Sequence, residues 1–260
     1  MASEPPKQNV EVGRVLGRGF ESLKANFLPF FGFALVLVGA PAFIGQYLML
    51  SNMRVLDPRF FISSAYWGSL AISTFGVFLG GSVLQGVLTR STILQLSGRD
   101  PDIGGSALLA LRLLLPILGI SLCVGIMIGV GFICLIVPGI MIWCAFSVSV
   151  PALVEERAGV FGSITRSRNL TRGARFQVFL LGALIWILSV VIGGVLGAIG
   201  GAAGFGSGFI MPNPLYGGLS HGLASSLTQV MSTVFIAALY VELREVKEGA
   251  RAGDLAEVFA

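Results

Sequence analysis

Charge is what this chain lacks. No Lys, Arg, Asp or Glu occurs from Phe60 to Thr89, from Leu113 to Val154, or from Phe176 to Val241, gaps of 30, 42 and 66 residues. A helix crosses the hydrocarbon of a bilayer with about 20 apolar residues, whereas a helix on a soluble core interrupts such runs with a solvated face. The gaps therefore exclude a soluble globular class. Cysteine is scarce as well. Cys123, Cys134 and Cys144 are odd in number and lack metal-ligand spacing, which argues against a disulfide framework and a zinc site. They read as small apolar side chains. The single histidine, His221, has no carboxylate or thiolate nearby in sequence, and no nucleophile elbow, phosphate-binding glycine loop, H-E-x-x-H or paired-carboxylate motif occurs. No catalytic, cofactor-binding or metal-binding residue is assigned, and no cofactor is expected. The predicted spans hold no ionisable residue of the kind that carries protons through pumps. A cleaved secretory signal is not expected, because the first apolar run begins only at Phe27 and no A-x-A site follows.

What is present is apolar and rich in glycine: 260 residues, 55% hydrophobic, 12% charged, 36 Gly, net charge +4 and a mean hydropathy of +0.88. The apolar runs predict an all-α, polytopic transmembrane bundle of six spans, at about 27–50, 66–89, 113–137, 140–154, 176–203 and 223–240. Pro138-Gly139 is expected to form the reversal between the third and fourth, since one 42-residue helix would be about 63 Å long, twice the hydrocarbon thickness. Pro151 should distort the fourth span. Three regions follow: a cytoplasmic amphipathic segment (1–26), a six-span domain (27–241) and a charged cytoplasmic tail (242–260). The terminal segments are too short to bury a core, so a separate soluble catalytic domain is not expected.

The basic residues supply orientation. Six spans put 15 Lys and Arg on one side and only Arg54 and Arg59 on the other, which makes the rich side, with both termini, cytoplasmic. On that side Val12, Val15, Leu16, Phe20, Leu23 and Phe27 recur at helical spacing, with Glu11, Arg14, Arg18 and Glu21 on another face. This predicts an amphipathic helix at the headgroup boundary. Val160, Phe161, Ile164 and Leu170 repeat the pattern among arginines before the fifth span, and Ser91–Leu96 with Ser106–Arg112 form a weaker version. We read three units, each an interfacial helix followed by a two-span hairpin.

Glycine spacing carries the packing signal. Gly193, Gly197 and Gly201 lie four apart on the fifth span, and Gly76/Gly80 and Gly125/Gly129 are further pairs of the type that lets helix backbones approach. The expected role is packing within the bundle, with contact to a second copy and a hinge as the alternatives. Ser225, Thr228, Gln229 and Ser232 share a face of the sixth span, and Ser69, Ser73, Gly76 and Gly80 one of the second. Polar atoms in hydrocarbon need partners, so these faces imply either hydrogen bonds between helices or a hydrated path.

The segment between the fourth and fifth spans is the most distinctive. Arg166, Arg168, Arg172 and Arg175 are candidates for anionic headgroups, at about 1 kcal/mol each near the surface, or topology signals alone. Pro138, Gly139, Pro151, Glu156, Arg166, Ser167, Leu170, Thr171 and Gly173 together resemble a motif of a bacterial six-span family. That family includes the membrane domain accompanying some glycerophosphodiester phosphodiesterases and the YciC-type inner-membrane proteins. The resemblance implies a bacterial inner-membrane location and an internal contact of Arg166 with Glu156 and Ser167. It does not carry over phosphodiesterase activity, whose domain needs several His and acidic ligands that this chain lacks.

These features predict a non-enzymatic integral membrane protein, a scaffold or lipid-contacting bundle. The alternative is a channel or transporter for a small solute between spans 2, 5 and 6, and a weaker third reading is an accessory subunit of a lipid-modifying enzyme. The expected partners are anionic lipids on the cytoplasmic side, with a second copy or another membrane protein left open and no nucleic acid.

Overall fold

The computed structural model describes residues 10–53, 58–100, 102–205 and 213–258. Among them the chain is helical throughout and has no strand. The order is α1 (Val12–Ala34), a π segment (Leu35–Gly39), α2 (Ala40–Asn52), a short 3-10 helix (Pro58–Ile62), α3 (Ser64–Leu96), α4 (Ile103–Arg112), α5 (Leu114–Cys134), α6 (Ile136–Phe146), α7 (Ser149–Glu156), α8 (Gly159–Thr171), α9 (Arg175–Phe205) and α10 (Pro214–Val258). Six stretches are long and apolar enough to cross a membrane: Val12–Asn52, Ser64–Leu96, Leu114–Cys134, Ile136–Glu156, Arg175–Ala202 and Pro214–Gly249. Large apolar side chains such as Leu115, Ile133 and Trp186 stand exposed along them, as lipid rather than water requires. The described residues fall into two compact units.

Unit 2 comprises Asn26–Gln85 and Leu184–Ser232 and is held by close backbone approach. Pro41 has no N–H, so the carbonyl of Leu37, four residues earlier, loses its α-helical donor. The helix widens into the π segment just there. Gly76 receives the Pro41 ring, Gly80 sits against the Leu37 carbonyl, and Gly45 meets Ser73. A side chain at Gly80 would collide with that carbonyl oxygen. Gly222 packs on the Gly39 carbonyl and Gly218 on Phe43, while Ser226 Oγ lies 3.3 Å from the Ala34 carbonyl and 2.8 Å from that of Gly222. The sixth span begins nine residues earlier than its hydropathy implied. Asn213 accepts the Leu215 N–H at 2.9 Å and Pro214 opens the helix, a polar cap with proline in the first turn. His221 is therefore a helical, exposed residue of α10.

Unit 1 comprises Met1–Ala25, Gly86–Ala183 and Thr233–Ala260, within the described residues. Here the expected reversal at Pro138-Gly139 is corrected. The chain turns at Leu135 alone (φ −168°, ψ 154°), which ends α5 and starts α6. Pro138 lies in the first turn of α6, where its missing N–H costs nothing. Gly139 serves close approach instead: its Cα lies 2.9 Å from a Cβ built on Gly131, and the Phe132 ring covers it. The fourth span breaks at Ser147-Val148, before α7. Pro151 explains the break, since its ring crowds the carbonyl four residues back, that of Ser147. Ile117, Ile120, Val150, Leu153 and Val154 form a core against which Leu109, Leu113, Val124 and Val160 pack.

Candidate functional site

The chemistry-bearing side chains of unit 1 gather around the stretch of α10 from Tyr240 to Glu248. Glu156 ends α7, and the chain then turns through Arg157 (φ 51°) and Gly159 (φ 72°) into α8. That turn brings Arg166 back, so that its Nε donates to Glu156 Oε1 at 2.7 Å. Tyr240 of α10 donates its hydroxyl to the same oxygen at 2.8 Å. Arg166 also pairs with Glu248, which accepts from Arg244 Nε at 2.8 Å, and Arg244 reaches Glu155 at 3.7 Å. Burial works against the charge of Arg166, but its bonds to Glu156 and Glu248 outweigh that, and its pKa is raised. It is a permanent cation held between two carboxylates.

A second cluster ties α1 to α10. Glu242, with 1% of its side chain exposed, accepts from Arg14 Nε at 2.8 Å and from Arg18 at 3.0 Å; Arg18 also reaches Glu245 at 2.8 Å. A buried carboxylate is tolerated only when paired, and these two arginines meet that need. Gly19, next to Arg18 on α1, lies against the Phe235 ring, and Phe20 meets that ring edge-on at 5.2 Å. The charged face of the N-terminal helix, expected to be turned to headgroups and water, is thus partly spent on α10. Lys247 donates to the carbonyls of Asn169 (2.5 Å) and Arg172 (2.7 Å), a cation at the C-terminal end of α8 where the helix dipole favours one.

The motif residues divide into two groups. Glu156 and Arg166 pair directly. Ser167 and Thr171, one turn apart, both donate to the Ala145 carbonyl, at 2.9 and 3.2 Å, near the break where α6 gives way to α7. Leu170 is buried beside them, and Gly173 (φ 91°) supplies the left-handed turn into α9. Pro138, Gly139 and Pro151 act elsewhere, at the hairpin and the helix break.

Other assignments change. Arg166 is withdrawn as a headgroup candidate because carboxylates occupy it. Arg168 and Arg172 are exposed, and Arg175 is half-buried with its Nε unpartnered. The apolar stripe of α8 is largely covered by protein: Val160 packs on the unit 1 core, Leu170 is 1% exposed, and Phe161 stands clear. The fifth-span glycines are corrected too. Nothing among the described residues lies within 4 Å of a Cβ built on Gly193, Gly197 or Gly201, nor on Gly125 or Gly129. Among the described residues their spacing marks an open face, not a packed one. The glycines that do permit close approach include Gly218 and Gly222, a four-spaced pair that sequence reading left in a connection. Sequence reading also missed Glu242, Glu245 and Glu248. Glu242 and Glu245 face Arg14 and Arg18 of α1, whereas Glu248 faces Arg166 and Arg244; helical spacing marks a charged face on each helix without saying which faces pair. Among the described residues, no group of three or more His, Cys, Asp or Glu could hold a metal ion.

With six bilayer-length apolar helices among its described residues, the chain is a multi-pass membrane protein. It is similar to a UPF0259 membrane protein of Pectobacterium carotovorum, 30% identical over 125 residues (46% of this chain, 48% of the relative). It is equally similar to a UPF0259 membrane protein of Sodalis glossinidius, 30% identical over 146 residues (54% of each). The chain spans about half the length of the curated relatives it matches. No family model matches it, and no solved structure does.

Proposed function

We propose that this protein is a non-enzymatic, lipid-contacting scaffold of a bacterial inner membrane, with both termini cytoplasmic. We place it with the six-span proteins that include the phosphodiesterase-associated membrane domain and the YciC-type proteins. The carrying observation is the division of labour among the cations of unit 1. Arg14, Arg18, Arg166 and Arg244 are bound to carboxylates within the fold, whereas Arg168 and Arg172 of the α8 end are exposed. The first set holds helices together, and the second is available to anionic headgroups. Span 1 occupies the small-residue face of span 2, at Ser73, Gly76 and Gly80, which takes one wall from a solute path between spans 2, 5 and 6 and favours the scaffold.

The test is lipid retention by the purified protein in native mass spectrometry, with anionic and zwitterionic lipids in competition. Arg168→Gln with Arg172→Gln should weaken anionic-lipid binding by about 2 kcal/mol, and Lys at both positions should preserve most of it. Equal binding by wild type and the Gln pair would leave these arginines as topology signals only.

A further inference from the structure

The short helix α4 has its polarity inside out. It buries Ser106 (0% exposed) and Ala110 (1%) and turns Leu108 (53%) and Leu111 (57%) outward, followed at the next helical positions by Arg112 and Leu115. Ala110 lies against Gly86 of α3, within 2.9 Å of a Cβ built there, and Leu109 packs on the core formed by Ile117, Val150 and Leu153. The inner face is thus settled by small residues and one leucine, and the outer face is left to whatever surrounds it. In water the burial would be reversed, since an amphipathic helix turns its apolar stripe inward. The contrast with α8 is direct. The outer face of α8 carries Phe161, Thr165, Arg168, Asn169 and Arg172, a mostly polar surface suited to water or headgroups.

We infer that α4 is inserted in the plane of the bilayer, with Leu108 and Leu111 in the acyl region of the leaflet where span 3 begins. Three features identify lipid as the occupant. The leucine face is continuous along the chain with a bilayer-crossing surface: α4 passes through one non-helical residue, Leu113 (φ −93°, ψ 6°), into α5, whose exposed Leu115, Leu122 and Ile126 face lipid. Exposed cations stand at both ends, Arg99 in the turn before the helix and Arg112 at its last position, placed to reach headgroups while the stem of Arg112 lies along apolar surface. The N-terminus is anchored by Asp102, which accepts the Gly105 N–H at 2.9 Å. It therefore carries a protein carboxylate and does not call for an anion. Helices of this kind bury an apolar face about 5–10 Å into the headgroup–acyl boundary. The proposal deepens the lipid-contacting reading and rests on it for the identity of the partner, but it uses apolar contact and does not depend on Arg168 or Arg172.

The experiment uses the full chain in nanodiscs of phosphatidylcholine, with and without phosphatidylglycerol. Cys123, Cys134 and Cys144 are replaced by Ala, and a nitroxide is attached to Leu108→Cys or Leu111→Cys. Leu122→Cys serves as the lipid-facing reference and Arg168→Cys as the polar one. Collision with oxygen, which partitions into hydrocarbon, is compared with collision with a water-soluble nickel chelate. Labels at 108 and 111 should favour oxygen, with the sign seen at 122 and opposite to that at 168, in both lipid mixtures. Preference for nickel at 108 and 111 would overturn the proposal. Low accessibility to both reagents would overturn it too, because it would put a protein surface, such as a second copy, over the leucines. The two readings fail separately. Nickel-favoured labels with an intact Arg168/Arg172 dependence of anionic-lipid binding would remove the α4 insertion alone. Loss of that dependence with oxygen-favoured labels would remove only the headgroup reading.

Discussion

The two units hold their helices together by different means. Unit 2 works by subtraction: glycine and a proline remove side chains and a backbone donor, and spans 1, 2 and 6 come so close that a Cβ at Gly80 or Gly222 would meet a carbonyl oxygen. Unit 1 works by addition: arginines, carboxylates, a tyrosine and two hydroxyls bridge helices through charged and neutral hydrogen bonds. The difference follows from solvent. In hydrocarbon there is little hydrophobic force between apolar helices, so van der Waals fit decides, and an unpaired charge would be expensive. Where the chain carries its charges, ion pairs form at tolerable cost and can be specific. Unit 2 should therefore be intolerant of added volume and unit 1 intolerant of lost charge.

The largest effect is expected at Gly80. Gly80→Leu would drive a branched side chain into the Leu37 carbonyl, and backbone cannot yield as a flexible side chain does. The destabilisation should be about 3 kcal/mol, the upper range for overpacking, read as a fall in thermal unfolding temperature in detergent. Wild-type stability would mean that spans 1 and 2 do not touch there. Arg166 comes next and probes unit 1. Arg166→Ala leaves Glu156 and Glu248 without their shared cation and should cost about 2 kcal/mol, in the range of hydrogen bonds to charged groups. Arg166→Lys should recover less than half, because an ammonium cannot reproduce the fork of a guanidinium between two carboxylates. Full rescue by Lys would reduce the site to simple charge balance. The smallest effect is expected at Gly197. With open space around it, Gly197→Leu should change stability by no more than about 0.5 kcal/mol. A loss comparable to that at Gly80 would show that a second copy covers this face.

Composition and charge made much of this architecture legible. The six spans follow from the charge gaps, because the cost of burying ions in lipid is large and independent of context. The pairing of Glu156 with Arg166, ten residues apart, was legible through the motif resemblance and not from spacing alone. Glu242 and Arg14 are 228 residues apart, and no local pattern announces a contact between two helices that distant. The glycine faces misled for a different reason. A four-residue spacing places glycines on one side of a helix but says nothing about whether a helix or lipid lies opposite, so Gly80 and Gly197 look alike in sequence. The reversal at Leu135 escaped because one extended residue suffices there, while the nearby Pro138 and Gly139 resemble a turn and instead begin a helix. The outward leucines of α4 were hidden for the same reason: amphipathic periodicity locates two faces without saying which one looks inward.

The π segment of span 1 is also an angular offset. Each residue of an α-helix advances the side-chain direction by about 100°, and the wide turn at Leu35–Gly39 accommodates one residue more than a regular turn would. Everything beyond it, Pro41 and Gly45 included, is therefore phased as though the span were one residue shorter. Excising Val36 and letting the wide turn close to a regular one would take up that spare residue, so Pro41 would still meet Gly76 and Gly45 would still meet Ser73. One residue lost from the regular helix between Pro41 and Gly45 would instead turn Gly45 by about 100° away from Ser73. The span is a screw with slack at one point, and a one-residue gap is harmless there and costly a turn further on.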